Sequence, residues 1–124
     1  MTKKVLIVDD EQNIAISVEY LMRREGYDVS IARDGEEGLS MIRSTKPDLV
    51  LLDVMMPKMD GFQVCSAVRA DANLAAVRII MLTAKGREAE VEKGLSLGAD
   101  AYIPKPFSTS DLVSRVNALL ESKE

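Results

Sequence analysis

Apolar residues are grouped in five short runs along the chain, and each run is followed by a segment with a different spacing of apolar positions. Short aliphatic runs that end in polar or acidic residues indicate strands buried on both faces of a sheet. The predicted strands are Lys4–Val8, Asp28–Ala32, Leu49–Leu52, Arg78–Leu82 and Ala101–Ile103.

The segments between these runs have the three- and four-residue spacing of amphipathic helices. In the first segment Ile14, Val18 and Met22 recur in this way, and Gly26 is predicted to cap the end of the helix. The other helices are predicted around Leu39 and Ile42 with an end at Pro47, over Gly61–Ala70 and Glu88–Leu97, and from Ser108–Asp111 onward.

Alternation of strand and helix fixes the predicted fold class. Parallel strands need helical crossovers, which cover both faces of the sheet. We therefore predict an α/β protein with a doubly wound, five-stranded parallel sheet and five helices. At 124 residues and 13.6 kDa the chain fits a single domain, which we expect to span residues 1–124.

Composition excludes several classes of chemistry. The chain has no histidine, so a Ser-His-Asp triad and an imidazole zinc site are both excluded, and Cys65 is the one cysteine. A net charge of −4 argues against nonspecific nucleic-acid binding. Every apolar run is too short to cross a membrane, and Asp9 and Asp10 interrupt any signal-like segment. We expect a cytoplasmic protein that binds neither membrane nor nucleic acid.

Polar residues at the predicted strand ends suggest a functional site. Asp9 and Asp10 follow the first strand, Asp53 follows the third, Thr83 follows the fourth, and Lys105 follows the fifth. Ligands of doubly wound sheets bind outside the carboxyl ends of the strands, where these side chains would meet. Each alone could be a helix cap or a solvated charge, but their convergence favours a site.

The residue types at this edge favour phosphoryl chemistry. Clustered carboxylates repel one another unless a cation offsets them, and oxygen ligands without histidine suit Mg²⁺. A carboxylate such as Asp53 can act as the nucleophile that accepts a phosphoryl group. Lys105 and the hydroxyl of Thr83 would then stabilise the phosphoryl oxygens, and the small side chain of Ala84 would keep the approach open.

Four segments together resemble the receiver domains of bacterial two-component response regulators, of the kind found in chemotaxis regulators. They are Val8–Glu11, Leu51–Gly61, Leu82–Ala84 and Lys105–Phe107, and the resemblance covers essentially the whole chain. It implies the flavodoxin-like strand order 2-1-3-4-5. It also implies a phosphorylation-dependent switch that catalyses only its own phosphorylation and dephosphorylation, with Mg²⁺ as its cofactor.

The resemblance assigns the metal and phosphorylation residues. Asp53 is implied to be the phosphoacceptor. Asp10 and Asp53 are implied to bind Mg²⁺ directly, Asp9 mostly through water, and Met55 through its backbone carbonyl. Met55 and Lys85 lie at positions where the family tunes the lifetime of the acyl phosphate.

The same resemblance assigns the phosphoryl contacts and the switch. Thr83, Ala84 and Lys105 are implied to contact the phosphoryl group, and the Lys105–Pro106 bond is implied to be cis. Tyr102 is implied to be the aromatic residue that reorients when Thr83 moves. We expect the resulting change to alter a partner-binding face formed by the fourth helix, the fifth strand and the last helix.

The implied partners are a histidine kinase or a histidine phosphotransfer protein, together with an output protein that the sequence does not identify. Two other functions share parts of the pattern. A flavodoxin-type flavin carrier has the same fold, but Asp9, Asp10 and Glu11 would repel its phosphate. A haloacid-dehalogenase-type phosphatase also uses an aspartyl nucleophile, but it needs an acid two residues later, where Met55 stands.

Overall fold

A computed structural model describes residues 2–84 and 88–121 of the chain. Its strands are β1 (Lys4–Val8), β2 (Asp28–Ala32), β3 (Leu49–Asp53), β4 (Arg78–Ala84) and β5 (Ala101–Lys105). Its helices are α1 (Gln12–Arg24), α2 (Gly35–Thr45), α3 (Gly61–Arg69), α4 (Glu88–Ser96) and α5 (Thr109–Glu121), with a short 3₁₀ helix at Ala72–Leu74. The strands form one parallel sheet in the order β2-β1-β3-β4-β5, which confirms the predicted fold class and strand order.

Strands β4 and β5 both extend two residues beyond their predicted ends, so Lys105 lies within β5 and not after it. The extension arises because Ala84 pairs with Lys105 and Thr83 with Pro104. Neither Pro104 nor Lys105 has the side chain of a typical strand residue. Proline is tolerated here because β5 is an edge strand. The N–H group that proline lacks can face solvent there, so no hydrogen bond between strands is lost.

Two apolar clusters cover the two faces of the sheet. One contains Val5 and Ile7 of β1 with buried residues of α1 and α5, and the other contains Leu6 and Val8 with buried residues of α2 and α3. All five residues of β3 are buried, as expected for the central strand of a doubly wound sheet. None of the helices in the described ranges is long and apolar enough to cross a membrane.

Helix α4 is the least firmly packed of the five helices. Gly94 is its one buried residue within the described range, whereas α5 buries Leu112, Val116 and Leu120. An added Cβ at Gly94 would lie 3.3 Å from Cγ of Met81, so the absence of a side chain lets α4 lie close to β4. Few apolar contacts therefore hold α4 against the sheet.

The loop after β3 is fixed by close backbone packing. A Cβ at Gly61 would lie 2.3 Å from the carbonyl oxygen of Asp53, so only glycine fits at the start of α3. The N–H of Gly61 donates to the carbonyl of Val54 at 2.9 Å, and Asp60 and Gln63 form a capping box. These contacts bring α3 directly behind the carboxyl end of β3 and hold Asp53 in place.

Candidate functional site

Three carboxylates meet at the carboxyl edge of the sheet. Asp9 and Asp10 follow β1, Asp53 ends β3, and one oxygen of each lies within 4.8 Å of the others. Asp9 is 1 % exposed and Asp53 is 7 % exposed, whereas Asp10 is exposed to solvent. The β1–β3 position is the point where the strand order reverses, which is where doubly wound sheets bind their ligands.

Lys105 forms ion pairs with the buried carboxylates. Its Nζ atom lies 3.1 Å from Oδ2 of Asp9 and 3.2 Å from Oδ1 of Asp53. Its third carboxylate contact is with Glu11, at 3.4 Å from Oε1. Glu11 was not among the predicted site residues, although its position directly after Asp9 and Asp10 was a usable signal.

Burial and charge both affect the ionisation of Asp53. Desolvation by burial and the negative charges of Asp9 and Asp10 together raise the pKa of Asp53 to about 7, although Lys105 acts in the opposite direction. Burial alone would lower the pKa of Lys105, but Asp53 and Asp9 raise it above its ordinary value. Lys105 therefore stays protonated, while ionised Asp53 is destabilised by its surroundings.

The donor set of the carboxylate cluster fits Mg²⁺. Asp9, Asp10 and Asp53 offer hard oxygen ligands close enough together to bind one ion. A second cationic charge would also favour the ionised form of Asp53. Asp10 and Asp53 line an open cavity of about 520 Å³ that gives access from solvent.

Thr83 adds an unsatisfied donor next to this cluster. It is 1 % exposed, and its Oγ1 atom has no hydrogen-bond partner within residues 2–84 and 88–121. Buried hydroxyls are normally paired, since leaving one unpaired costs free energy. A phosphoryl oxygen at Asp53, which lies on the adjacent strand, would be a suitable acceptor for this hydroxyl.

The structure brings most, but not all, of the sequence-predicted residues into one cavity. Its lining contains, from the predicted set, Asp10, Asp53, Met55, Ala84, Lys105 and Pro106. The Lys105–Pro106 bond is cis, and Met55 is 66 % exposed at the rim. Lys85 lies outside the described residues. A second cavity of about 510 Å³, between α2 and Met59, contains none of the predicted site residues.

Tyr102 lies outside the cavity but on the same face of the sheet as Thr83. Residues two apart on a strand face the same side, so Thr83 shares a face with Met81. Met81 pairs with Tyr102 on β5, and both belong to the apolar cluster on the α2 and α3 side. Tyr102 is partly buried there and close to α4 in the fold, because α4 packs on β4 and β5.

Comparison with known proteins gives a consistent family. Residues 5–117 match the model of the response regulator receiver domain. The chain is 48 % identical over its whole length to the alkaline phosphatase synthesis transcriptional regulatory protein PhoP of Bacillus subtilis, and it spans about half (51 %) of that protein's length.

The chain is also similar to solved structures of receiver domains. The receiver domain of Francisella response regulator 1452 has a TM-score of 0.91 and 33 % identity, with 99 % of this chain and 100 % of that chain covered. The receiver domain of the sensor histidine kinase PA1611 from Pseudomonas aeruginosa has a TM-score of 0.89 and 28 % identity, with 98 % and 100 % covered. That crystal structure contains a magnesium ion coordinated in the active site cleft.

Proposed function

The chain belongs to the response regulator receiver domain family, and on that premise we propose that it is a switch phosphorylated on Asp53. The observation that carries the proposal is the position of Asp53, at the end of the central strand with Lys105 at 3.2 Å and two further aspartates beside it. The phosphodonor is a phosphohistidine of a histidine kinase or of a histidine phosphotransfer protein. Each partner molecule is thus recognised through the phosphorylated imidazole that it presents.

In the transfer step a carboxylate oxygen of Asp53 forms a bond to phosphorus as the bond between phosphorus and the donor's imidazole nitrogen breaks. The electron pair of the broken bond returns to the imidazole. Lys105 contributes fixed positive charge, and the unpaired hydroxyl of Thr83 donates to a phosphoryl oxygen. Both groups stabilise charge on the phosphoryl oxygens in the transition state.

Asp9, Asp10 and Asp53 would hold Mg²⁺, with the backbone carbonyl of Met55 as a further ligand. When bound, the ion neutralises negative charge on the carboxylates and the phosphoryl oxygens. The donor chemistry of the cluster supports this assignment, as does the magnesium found in the related receiver domain. The chain catalyses no reaction other than its own phosphorylation and dephosphorylation.

Output follows from a change on the α4, β5 and α5 face. Phosphorylation draws the Thr83 hydroxyl toward Asp53, and Tyr102 on the same face of the sheet moves into the space that is released. An unidentified output protein, or another part of a longer protein, then binds this face. The acidic net charge of −4 supports a signalling domain that binds no nucleic acid itself, and a cytoplasmic location stays a prediction.

Mass spectrometry of the intact protein tests the phosphoacceptor. With acetyl phosphate and Mg²⁺, the wild type should gain one phosphoryl group that hydroxylamine removes, because an acyl phosphate reacts with hydroxylamine and a serine or threonine phosphate does not. Asp53→Ala should gain none. The matched control Asp28→Ala removes an exposed aspartate from β2 and should be labelled normally. Undiminished labelling of Asp53→Ala would rule out the assignment.

A further inference from the structure

Glu11 directly precedes α1, and its side chain is not used to cap that helix. It is the N-cap residue, yet it makes no side-chain hydrogen bond to the helix. Its Oε1 atom instead lies 3.4 Å from Nζ of Lys105. Glutamate is not among the preferred N-cap residues, because the short side chains of Asp, Asn, Ser and Thr reach the first-turn N–H groups better.

The three acceptors of the Lys105 ammonium differ in their surroundings. The side chains of Asp9 and Asp53 are 0 % and 9 % exposed, whereas that of Glu11 is 62 % exposed. Glu11 also lines the cavity through which a phosphodonor reaches Asp53. The contact with Glu11 is therefore the one on the solvent side, where an arriving phosphoryl group would need the same ammonium.

We propose that Glu11 is a positioning residue that holds Lys105 toward the mouth of the cavity and so slows phosphorylation of Asp53. The inference rests on the proposed function, since Lys105 has this role only if Asp53 accepts a phosphoryl group. An incoming phosphoryl group competes with the Glu11 carboxylate for the ammonium. When the contact with Glu11 is lost, Lys105 still pairs with Asp9 and Asp53. An incoming phosphoryl group then no longer has to displace the Glu11 carboxylate from the ammonium, so phosphorylation is faster.

Two substitutions separate the contact from the charge. Glu11→Gln removes the charge and keeps the shape of the side chain. Glu11→Asp keeps the charge, but the side chain is one methylene shorter, and aspartate at an N-cap is drawn to the N–H groups of the first turn. Both variants should lose the ion pair with Lys105, and neither alters a buried position.

The experiment measures the rate of phosphorylation by acetyl phosphate with saturating Mg²⁺. In this reaction Asp53 forms a bond to phosphorus, and the bond between phosphorus and the acetate oxygen breaks with its electron pair on acetate. Glu11→Gln and Glu11→Asp should both be phosphorylated roughly two- to fivefold faster than the wild type, the range expected for an exposed ion pair. The gain should shrink at high salt, where the pair is screened.

Glu36→Gln is the control for net charge, because it removes an exposed carboxylate on α2 away from Lys105 and should keep the wild-type rate. If Glu11→Asp keeps the wild-type rate while Glu11→Gln is faster, charge and not the contact is responsible, and the proposal is wrong. Equal rates for all the variants overturn it as well. Absence of labelling in the wild type would instead overturn the proposed function.

Discussion

Lys105 on β5 and Asp53 on β3 form an ion pair across the strand that separates them, with 3.2 Å between Nζ and Oδ1. The two residues are 52 positions apart in the sequence. Lys105 also reaches Asp9, which follows β1, so its side chain links the ends of four neighbouring strands, β1, β3, β4 and β5. The pair joins the edge strand to the centre of the sheet at the proposed phosphorylation site.

Removing this lysine should destabilise the fold. In Lys105→Met two buried carboxylates lose their cationic partner, so the free energy of unfolding in EDTA at pH 8 should fall by about 2 to 3 kcal/mol. Lys58→Met is the matched control, since it breaks a longer pair, at 3.7 Å, between an exposed lysine and the half-buried Asp34, and it should cost under about 0.5 kcal/mol. Urea titrations that give equal losses for both variants would contradict the importance of the buried pair.

Ionisation of Asp53 should make the stability depend on pH in a defined direction. Its pKa is about 7 in the folded protein and 3.8 as the ordinary value, so the folded state binds the proton more tightly. The tighter binding of this proton stabilises the folded state fully below about pH 4, and the stabilisation is lost as the pH rises to about 7. The free energy of unfolding falls by at most roughly 4 kcal/mol over this range. Urea titrations in EDTA should show this fall for the wild type.

In Asp53→Asn the free energy of unfolding should not fall as the pH rises through 7, and the variant should be more stable than the wild type at pH 8 without metal. Saturating Mg²⁺ should offset the loss in the wild type, because binding to the native state stabilises it. It should stabilise Asp53→Asn less, because one ligand is missing. A fall of the same size in Asp53→Asn and the wild type would assign the pH dependence to other groups.

The hydroxyl of Thr83 should destabilise the unphosphorylated protein. Thr83→Val replaces a buried hydroxyl that has no partner among residues 2–84 and 88–121 with a methyl group, so the unphosphorylated protein should gain about 1 kcal/mol of stability. Thr45→Val is the control: the Thr45 hydroxyl donates to the carbonyl of Met41 at 2.8 Å, so its loss should lower the stability.

With beryllofluoride, a phosphoryl mimic, the wild type should show amide NMR shifts around Tyr102 that are much smaller in Thr83→Val. Binding of the mimic itself should persist, though more weakly, because Lys105 and Asp53 are unchanged. Shifts of equal size in the two proteins would show that Tyr102 does not respond to Thr83. That result would leave the assignment of Asp53 intact.

The sequence predicts the sheet well because its central strands are buried on both faces. Leu49–Leu52 is a continuous apolar run, and β1 has the predicted bounds, Lys4–Val8. The ends of β4 and β5 are less predictable, since Pro104 and Lys105 join β5 through tertiary pairing and not through strand propensity. The 3₁₀ helix Ala72–Leu74 was not predicted, because three residues are too few for a periodic pattern.

The candidate site follows from topology more readily than from local pattern. Once the strands are parallel, Asp9, Asp53 and Lys105 must approach the same edge. The contact between Lys105 and Glu11 could not be predicted in this way, because it depends on the direction of a long side chain. The lack of a hydrogen-bond partner for the Thr83 hydroxyl within the described part of the chain likewise depends on the positions of all the neighbouring side chains, and no sequence motif specifies them.

The loose packing of α4 has a thermodynamic consequence. Because Gly94 is its one buried residue in the described range and Leu95 is 44 % exposed, little apolar surface is exposed to water when α4 detaches. Local opening of α4 should therefore require much less free energy than global unfolding, and its amide protons should exchange with solvent through that opening. A perturbation of a few kcal/mol at the end of β4 is then enough to change the population of detached α4, whereas α5 stays in place.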